Sequence, residues 1–232
     1  MPLFAERYQA EQLLSRTRYA VSWLGRDLTN SQRVVIKTLH RESLSAAAAV
    51  RLVHEGRVLR QVRSPSLRPV IDQGTQDELH FLVMPFVDGV PLSKRLAAEP
   101  LSLDETLAVG RDLLQALHAA HHRGVLHRDV KPANLIVNEA DTVHGATLID
   151  FGLAHSDQLT AAARAQPVGT ARYVAPEQAG LLNYGMAEPA DLYSAGLVLY
   201  ECLCGKSPFT GSSITEILGQ QMTVQPQSLR AM

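Results

Sequence analysis

The secondary-structure signals of this chain change in kind near residue 85, and this change limits the folds open to it. Before residue 85, short strand-like runs are separated by turn-forming residues. The runs cover residues 8–14, 19–24, 33–39, 69–73 and 79–84. One helix is predicted between the third and fourth runs, beginning near Ala46. The first part of the chain is therefore predicted to form a small β-rich lobe.

The helix that begins near Ala46 carries one acid on an otherwise apolar face. Leu52, Leu59 and Val62 follow one another at helical spacing, and Glu55 falls on the same face. Because a buried carboxylate is costly unless it is paired, Glu55 is predicted to have a partner.

After residue 85 the pattern becomes mostly helical. Ser102 and Glu105 form a predicted capping box that opens a helix, and Gly124 lies where its C-terminal stop is expected. Leu107, Leu114 and Leu117 are predicted to share one face of this helix. A second helix, apolar nearly all round, is predicted over about residues 191–204, ending at Gly205. Strands followed by helices indicate an α+β architecture with two lobes.

Composition and charge exclude several classes of protein. Lys and Arg together number 22 and Asp and Glu 23, which gives a net charge of −1. With no long basic run, we expect neither nucleic acid nor an anionic membrane surface as a partner. The N-terminal stretch has two acids, no positively charged opening and no sustained apolar core, so no signal peptide is predicted. No stretch of 18 apolar residues occurs, so no membrane span is predicted. The only cysteines, Cys202 and Cys204, provide no disulfide framework or zinc site, which favours a cytoplasmic location.

Four motifs carry the chemistry of the chain. They read VVIK at residues 34–37, HRDVKPAN at 127–134, DFG at 150–152 and APE at 175–177. In this order and approximate spacing they resemble the signature of protein kinases, specifically the Ser/Thr kinases that bacteria share with eukaryotes. The resemblance covers about residues 8–220, and a chance coincidence of the motifs is negligible.

The resemblance implies a bilobal protein kinase fold. Residues 1–84 would form an N-lobe with a small antiparallel sheet and one helix, residues 85–91 a hinge, and residues 92–232 a mostly helical C-lobe that is incomplete at its C-terminus. The implied activity is transfer of the γ-phosphate of ATP to Ser or Thr hydroxyls of protein substrates. Mg²⁺ is the expected metal ion, with Mn²⁺ as an alternative, and further domains are expected C-terminally in a larger signalling protein.

Five positions match the family's catalytic and metal-binding residues. Asp129 would accept or orient the proton of the substrate hydroxyl, and Lys131 would reach the transferred phosphate. Asn134 and Asp150 would bind the metal ions, because magnesium prefers hard oxygen ligands. Thr170 matches the threonine that bonds the catalytic aspartate and lysine.

The implied nucleotide site begins with Lys37, which would bind the phosphates and pair with Glu55. Met84 occupies the gatekeeper position, and Pro85 and Val87 occupy the two positions whose backbone bonds adenine. Proline at position 85 loses only an N–H, whereas the group required there is a carbonyl. The nucleotide-binding set further includes Val35, Ile136 and Asp150.

The phosphate-binding loop departs from the family pattern. Ser15, Thr17 and Ala20 stand where the family has three glycines, and Ser22 stands where it has valine. Glycines permit positive φ and a close approach to phosphate, so we expect the loop to be distorted or lifted. Ser22 removes bulk above the adenine while Val35 adds it, and we hypothesise that the two changes compensate.

Residues 150–177 match the family's activation segment. Thr160 and Thr170 are candidate sites of autophosphorylation, although Thr160 is equally well read as an unmodified polar loop residue. Asp191 resembles the family's aspartate that bonds the backbone around residues 127–129, and it is read as a support residue.

Two alternative functions are weighed against a protein kinase. A pseudokinase, acting as a nucleotide-binding or allosteric scaffold, is favoured by the missing glycines and the short C-lobe. A small-molecule kinase of the aminoglycoside type shares the catalytic pattern, but Lys131 and the DFG and APE motifs argue against it.

Three histidines, His118, His121 and His122, have a helical spacing that would permit metal binding. Packing and capping are the favoured interpretation of all three.

Overall fold

The computed structural model describes residues 1–16, 20–40, 46–138, 142–151, 172–178 and 187–231. The chain divides into two units, the first made of residues 1–63 and 68–87 and the second of residues 64–67 and 88–232. Each unit contains a sheet of its own.

The strands of the first unit are β1 (Leu3–Phe4), β2 (Tyr8–Arg16), β3 (Ala20–Asp27), β4 (Arg33–His40), β5 (Asp72–Gln76) and β6 (Leu79–Pro85). They pair antiparallel in the order β1-β2-β3-β4-β6-β5. The predicted strand over residues 69–73 is misplaced, since β5 begins only at Asp72. Pro69 has no N–H to donate to a strand ladder, which accounts for the later start.

Alternation along β4 gives this sheet two different faces, because successive side chains of a strand point to opposite sides. On one face lies a cluster of buried residues, namely Phe4, Tyr8, Ala10, Val34, Ile36, Phe81 and Val83. On the other face Val35 lies opposite Met84, and Lys37 lies opposite Leu82. Val35, Lys37 and Met84 therefore share the face that does not carry the cluster.

The helix α1 (Ala46–Leu59) presents the face that the sequence predicts. Leu52, Glu55 and Leu59 are all buried, and so is Val62 just beyond the helix. The side-chain amide of Gln73 donates a hydrogen bond to the carbonyl of Val53 at 3.2 Å, which ties α1 to β5. The burial of Glu55 among leucines is thus confirmed.

Side-chain hydrogen bonds join the two edges of the sheet. The hydroxyl of Tyr8 in β2 donates to Asp72 of β5 at 3.0 Å. Gln76 donates to the carbonyl of Leu3 at 2.8 Å and accepts from the backbone N–H of Ala5 at 3.0 Å. Because β1 and β5 are the outer strands in the pairing order, these bonds require the sheet to curl.

Asp27, at the end of β3, accepts four hydrogen bonds. The guanidinium of Arg7 donates to both of its oxygens, at 2.9 and 2.7 Å, and Thr29 donates through its N–H and its hydroxyl. The side chain of Asp27 is almost fully buried. The hydrogen bonds from Arg7 outweigh burial and hold the pKa of Asp27 well below its usual range.

The second unit combines a small sheet with helices. The antiparallel sheet contains β7 (Val90–Pro91), β8 (Leu135–Val137) and β9 (Ala146–Leu148) in that order. The helices are α2 (Leu92–Leu96), α3 (Leu103–His121), α4 (Glu188–Cys204) and α5 (Ile214–Thr223), with short 3₁₀ helices at Pro132–Asn134 and Leu229–Ala231. No helix among the described residues is long and apolar enough to cross a membrane.

The helix α3 confirms the predicted capping box, but the three leucines predicted to share a face differ in exposure. Ser102 accepts from the backbone N–H of Glu105 while the Glu105 carboxylate accepts from the N–H of Ser102. Leu107 and Leu114 are 60% and 45% exposed, whereas Leu117 is buried. The buried face instead contains Thr106, Val109, Gly110, Leu113, Ala116, Leu117 and Ala120. At about 100° per residue, Leu107 and Leu114 point roughly 80° and 60° away from Leu117, to the exposed side of the buried face.

The helix α4 begins three residues earlier than predicted, at Glu188. Pro189 lies in its first turn, where a missing N–H costs nothing. The predicted stop is confirmed, because Gly205 adopts a φ of 68° that few other residues tolerate.

The Asp27 interaction predicts an acid-sensitive contribution to stability. We expect Asp27→Asn to lower the melting temperature near pH 7 by about 3–6 °C, because charge-assisted hydrogen bonds are lost. The folded-state pKa of Asp27 is depressed, so the difference between wild type and variant should be complete above about pH 5 and should shrink as the pH falls below about 4. Thermal unfolding followed from pH 3 to pH 8 measures this difference.

Glu11→Gln provides the control, since it removes the exposed ion pair with Arg26 at 2.8 Å. This variant should shift the melting temperature little at any pH. A wild type and an Asp27→Asn variant of equal stability at pH 7 would contradict the assignment.

Candidate active site

Asp191, in the first turn of α4, holds the segment that carries the HRD motif. Its carboxylate accepts the backbone N–H groups of His127 and Arg128, each at 2.8 Å, and the Nε2–H of His121 at 2.8 Å. Arg128 adopts a φ of 64°, a conformation that non-glycine residues reach only at a cost. The predicted support role of Asp191 is confirmed.

The Asp191 carboxylate is 2% exposed, so its ionisation depends on these partners. Burial alone would raise the pKa of Asp191, but the hydrogen bond from His121, the neighbouring His127 and the two backbone N–H groups together lower it. The carboxylate is therefore an anion that only accepts hydrogen bonds, which fixes the Nε2 of His121 as a donor.

His127 is fully buried and connects the HRD and DFG motifs. Its Nε2 donates to the carbonyl of Ile149 at 3.0 Å, and its Nδ1 accepts the backbone N–H of Asp129 at 3.3 Å. One nitrogen donates and the other accepts, so the imidazole is neutral, and burial lowers the pKa of His127 accordingly. The ring also packs against Phe151, with centroids 4.7 Å apart.

Asp129, Lys131 and Asn134 meet in the second unit. The Nζ of Lys131 lies 2.8 Å from Oδ2 of Asp129, and the amide of Asn134 donates to the same oxygen at 2.9 Å. Asn134 also donates to the backbone carbonyl of Asp129 at 2.8 Å. These contacts fix one carboxylate oxygen, while Oδ1 of Asp129 receives no hydrogen bond from any described residue.

Asn134 and Asp150 come together through the hairpin of β8 and β9. The register pairs Leu135 with Leu148, and the N–H of Ile149 donates to the carbonyl of Asn134 at 2.9 Å. Asp150 follows immediately, with a φ of 58°. An amide oxygen and a carboxylate are thereby placed at the same end of the hairpin, and both are ligands that hard divalent cations prefer.

Ile136 lies in the middle of β8, opposite Thr147 of β9 and Pro91 of β7. It is half-buried, whereas its neighbours Leu135 and Val137 are buried. Its side chain therefore points to the more open face of this small sheet.

The first unit holds the other predicted site residues. Lys37 is half-buried and lies between Ser22 of β3 and Leu82 of β6 in the strand register. Val35 and Met84 face each other one pair further along the same face and are both buried. The ion pair between Lys37 and the buried Glu55 stays a prediction.

The ends of β2 and β3 carry two of the positions where the family has glycine. Ser15 is exposed and pairs with Ser22, and Ala20 opens β3. At the end of β6, Pro85 lies opposite Val34, and Val87 follows the strand. Thr17, Thr160, Thr170 and Gly152 lie outside the described residues.

Sequence reasoning did not identify Gln178, which links the APE motif to the HRD motif. Its Oε1 accepts the backbone N–H of Ala175 at 3.1 Å, and its amide donates to the carbonyl of Arg128 at 3.3 Å. The only signal available in the sequence is its position directly after the motif. Among the described residues, no group of three or more His, Cys, Asp or Glu is arranged to hold a metal ion.

Asp191→Asn tests the support of the HRD segment. An amide oxygen can accept only part of the three hydrogen bonds, and the amide nitrogen would face another donor. We expect the free energy of unfolding to fall by about 1.5–3 kcal/mol, with faster hydrogen exchange at the amides of His127 and Arg128. Asp104→Asn, an isosteric change at an exposed position of α3, is the control and should leave those two amides unaffected. Unchanged exchange at both amides in Asp191→Asn would contradict the role.

Comparison with known proteins agrees with the geometry of these motifs. Residues 8–230 match the family model described as the protein kinase domain. Over 212 residues the chain is 32% identical to serine/threonine-protein kinase pkn2 of Myxococcus xanthus, and over 233 residues it is 30% identical to serine/threonine-protein kinase PknB of Mycobacterium leprae. PknB of Mycobacterium tuberculosis is 31% identical over 231 residues.

These alignments cover 89%, 97% and 96% of the chain, but only 25%, 37% and 36% of the respective relatives. The chain thus spans between a quarter and somewhat more than a third of the length of these relatives. Members of the family generally use ATP and a divalent metal ion. The family match over most of the chain, together with an antiparallel sheet in the first unit and a mainly helical second unit, shows that the chain belongs to the protein kinase family.

Proposed function

We propose that this chain is the catalytic domain of a Ser/Thr protein kinase that transfers the γ-phosphate of ATP to protein hydroxyls. The observation that carries the proposal is the carboxylate of Asp129, one oxygen of which is held by Lys131 and Asn134. Its other oxygen receives no hydrogen bond from a described residue and would accept that of a substrate hydroxyl. The names of the relatives, which are Ser/Thr protein kinases, support the same activity.

Asp129 would orient the attacking hydroxyl and accept its proton as the new oxygen–phosphorus bond forms. The Nζ of Lys131, 2.8 Å from Oδ2 of Asp129, keeps the carboxylate fixed. It also contributes positive charge where the transferred phosphate carries negative charge. The backbone bonds to Asp191 immobilise the chain on which Asp129 lies. This arrangement serves positioning, which accounts for much of the catalysis of phosphoryl transfer.

Asn134 and Asp150 fit a magnesium ion by the chemistry of their donors. The amide nitrogen of Asn134 is committed to Asp129, so its carbonyl oxygen is turned away from that carboxylate and accepts no hydrogen bond from a described residue. We propose that this oxygen and the Asp150 carboxylate hold Mg²⁺, or Mn²⁺ in its place. The metal ion, when bound, neutralises charge on the phosphate oxygens.

The adenine would be bound by the backbone after β6. We propose that the carbonyl of Pro85 accepts from the adenine and that the N–H of Val87 donates to it. Val35, Met84 and Ile136 would contact the base, and Lys37, paired with Glu55, would bind the phosphates. Residues 85–91 would be the hinge between lobes formed by residues 1–84 and 92–232.

Protein substrates would include the chain itself, with Thr160 or Thr170 as the acceptor. The share of the relatives that the chain covers supports the proposal that further domains accompany this kinase domain in one polypeptide. A cytoplasmic location stays a prediction.

Asp129→Asn tests the proposed activity. With labelled ATP and magnesium, the wild type should phosphorylate itself and a generic basic protein, and the variant should be slower by about 100- to 10,000-fold, because a positioned base is lost. Asp104→Asn, which makes the same chemical change far from the motif, should keep wild-type activity.

Equal transfer by wild type and Asp129→Asn would overturn the role of Asp129. If no protein transfers phosphate although ATP raises the melting temperature, a pseudokinase would replace the proposal.

The pair Ser22 and Val35 tests the nucleotide site separately. Both side chains lie on the Lys37 face, on neighbouring strands β3 and β4, and both are buried. We expect Ser22→Val to weaken ATP binding about tenfold, because added bulk in a packed place costs about 1–3 kcal/mol. The double change Ser22→Val with Val35→Ala should restore the affinity. Equilibrium binding of a fluorescent ATP analogue measures it, and tighter binding by Ser22→Val would refute the compensation.

A further inference from the structure

Two imidazole rings lie next to each other at the C-terminal end of α3. His118 and His122 are four residues apart, and residues with this spacing are neighbours on a helix surface. Their ring centroids are 6.2 Å apart and their planes differ by 27°. Both residues are exposed.

The histidine between them has a different role. The Nε2 of His121 donates to the buried Asp191, which directs His121 towards α4 and away from the other two rings. The sequence interpretation of packing and capping therefore suits His121, and His122 is the C-terminal cap residue of α3. Packing and capping do not explain why His118 and His122 present their rings to solvent side by side.

A pair of imidazoles on one helical face has the chemistry of a chelate. Imidazole nitrogen binds Zn²⁺, Ni²⁺ and Cu²⁺, with bonds of about 2.0–2.1 Å to zinc, whereas Mg²⁺ prefers oxygen. Because both rings are exposed, a change of rotamer can bring one nitrogen of each to the same ion at little cost. The rigid helix supplies both ligands without ordering any new backbone.

The position along the helix also favours a cation. The carbonyl groups of the last turn give the C-terminus of a helix a partial negative charge. The amide of Gln115 lies on the same stripe, three residues before His118, and is exposed as well. Water would complete the coordination, as in other sites with few protein ligands.

We propose that His118 and His122 form a binding site for a divalent transition-metal ion, separate from the proposed magnesium ligands. A bound ion would link the last two turns of α3 across their solvent face. His121, whose bond to Asp191 supports the HRD segment, lies within the linked turns. Binding of the ion outside the active site would thus stiffen the support of the HRD segment.

Titration calorimetry with Zn²⁺ tests the site on the full chain. His118→Ala and His122→Ala should each weaken zinc binding at least tenfold, because a single imidazole cannot chelate. His54→Ala and His144→Ala remove exposed histidines elsewhere and should leave the affinity unchanged. Equal zinc affinity in all four variants, or no zinc binding by the wild type, would overturn the proposal.

A gain of affinity provides the converse test. Gln115→His adds a third imidazole to the stripe and should tighten zinc binding at least tenfold, and His118→Ala in the same chain should abolish that gain. Excess Zn²⁺ should also raise the melting temperature of the wild type more than that of His118→Ala, whereas Mg²⁺ should not distinguish them. A Zn²⁺ effect of equal size in both proteins would count against the site. None of these measurements depends on phosphate transfer.

Discussion

The buried carboxylate of Asp191 is the interaction on which the second unit depends. This carboxylate, in the first turn of α4, accepts hydrogen bonds from the side chain of His121 at the end of α3 and from two consecutive backbone N–H groups of the HRD motif. Three separate segments thereby share a single point of attachment. The carboxylate is almost fully buried, so the loss of a donor would leave part of its negative charge uncompensated. The three segments are therefore held in fixed positions relative to one another.

His127 extends this hydrogen-bond network from the HRD motif to the DFG motif. The Nδ1 of His127 accepts from the backbone N–H of Asp129, and its Nε2 donates to the carbonyl of Ile149. Asp129 is hydrogen-bonded to Asn134, a predicted metal ligand, and Ile149 directly precedes Asp150, the other predicted ligand. Two residues of these motifs, Arg128 and Asp150, have positive φ although neither is glycine. Such conformations persist only when the surroundings determine them, and here the hydrogen bonds of Asp191 and His127 provide that determination.

Local signals made much of this structure predictable. The capping box at Ser102 and the stop at Gly205 depend on residues within a few positions of each other, and both are confirmed. The motifs likewise identify the protein kinase family, and the resemblance to this family implied contacts between distant residues, such as that of Asp191 with the HRD segment. Features decided by tertiary packing were missed: the exposed Leu107, the late start of β5 after Pro69, and the bond from Gln178 to Arg128 all depend on which segments meet in space.

The strict two-residue alternation of β4 limits how this chain can change in length. Val34 and Ile36 belong to the buried cluster, while Val35 and Lys37 face the other side of the sheet. An insertion or deletion of one residue within the strand would exchange the two sets, placing an ammonium group in the apolar cluster and removing it from the face of Met84. Length variation among homologous chains should therefore concentrate in turns such as residues 28–32, which precede β4 and can absorb an extra residue without reversing its faces.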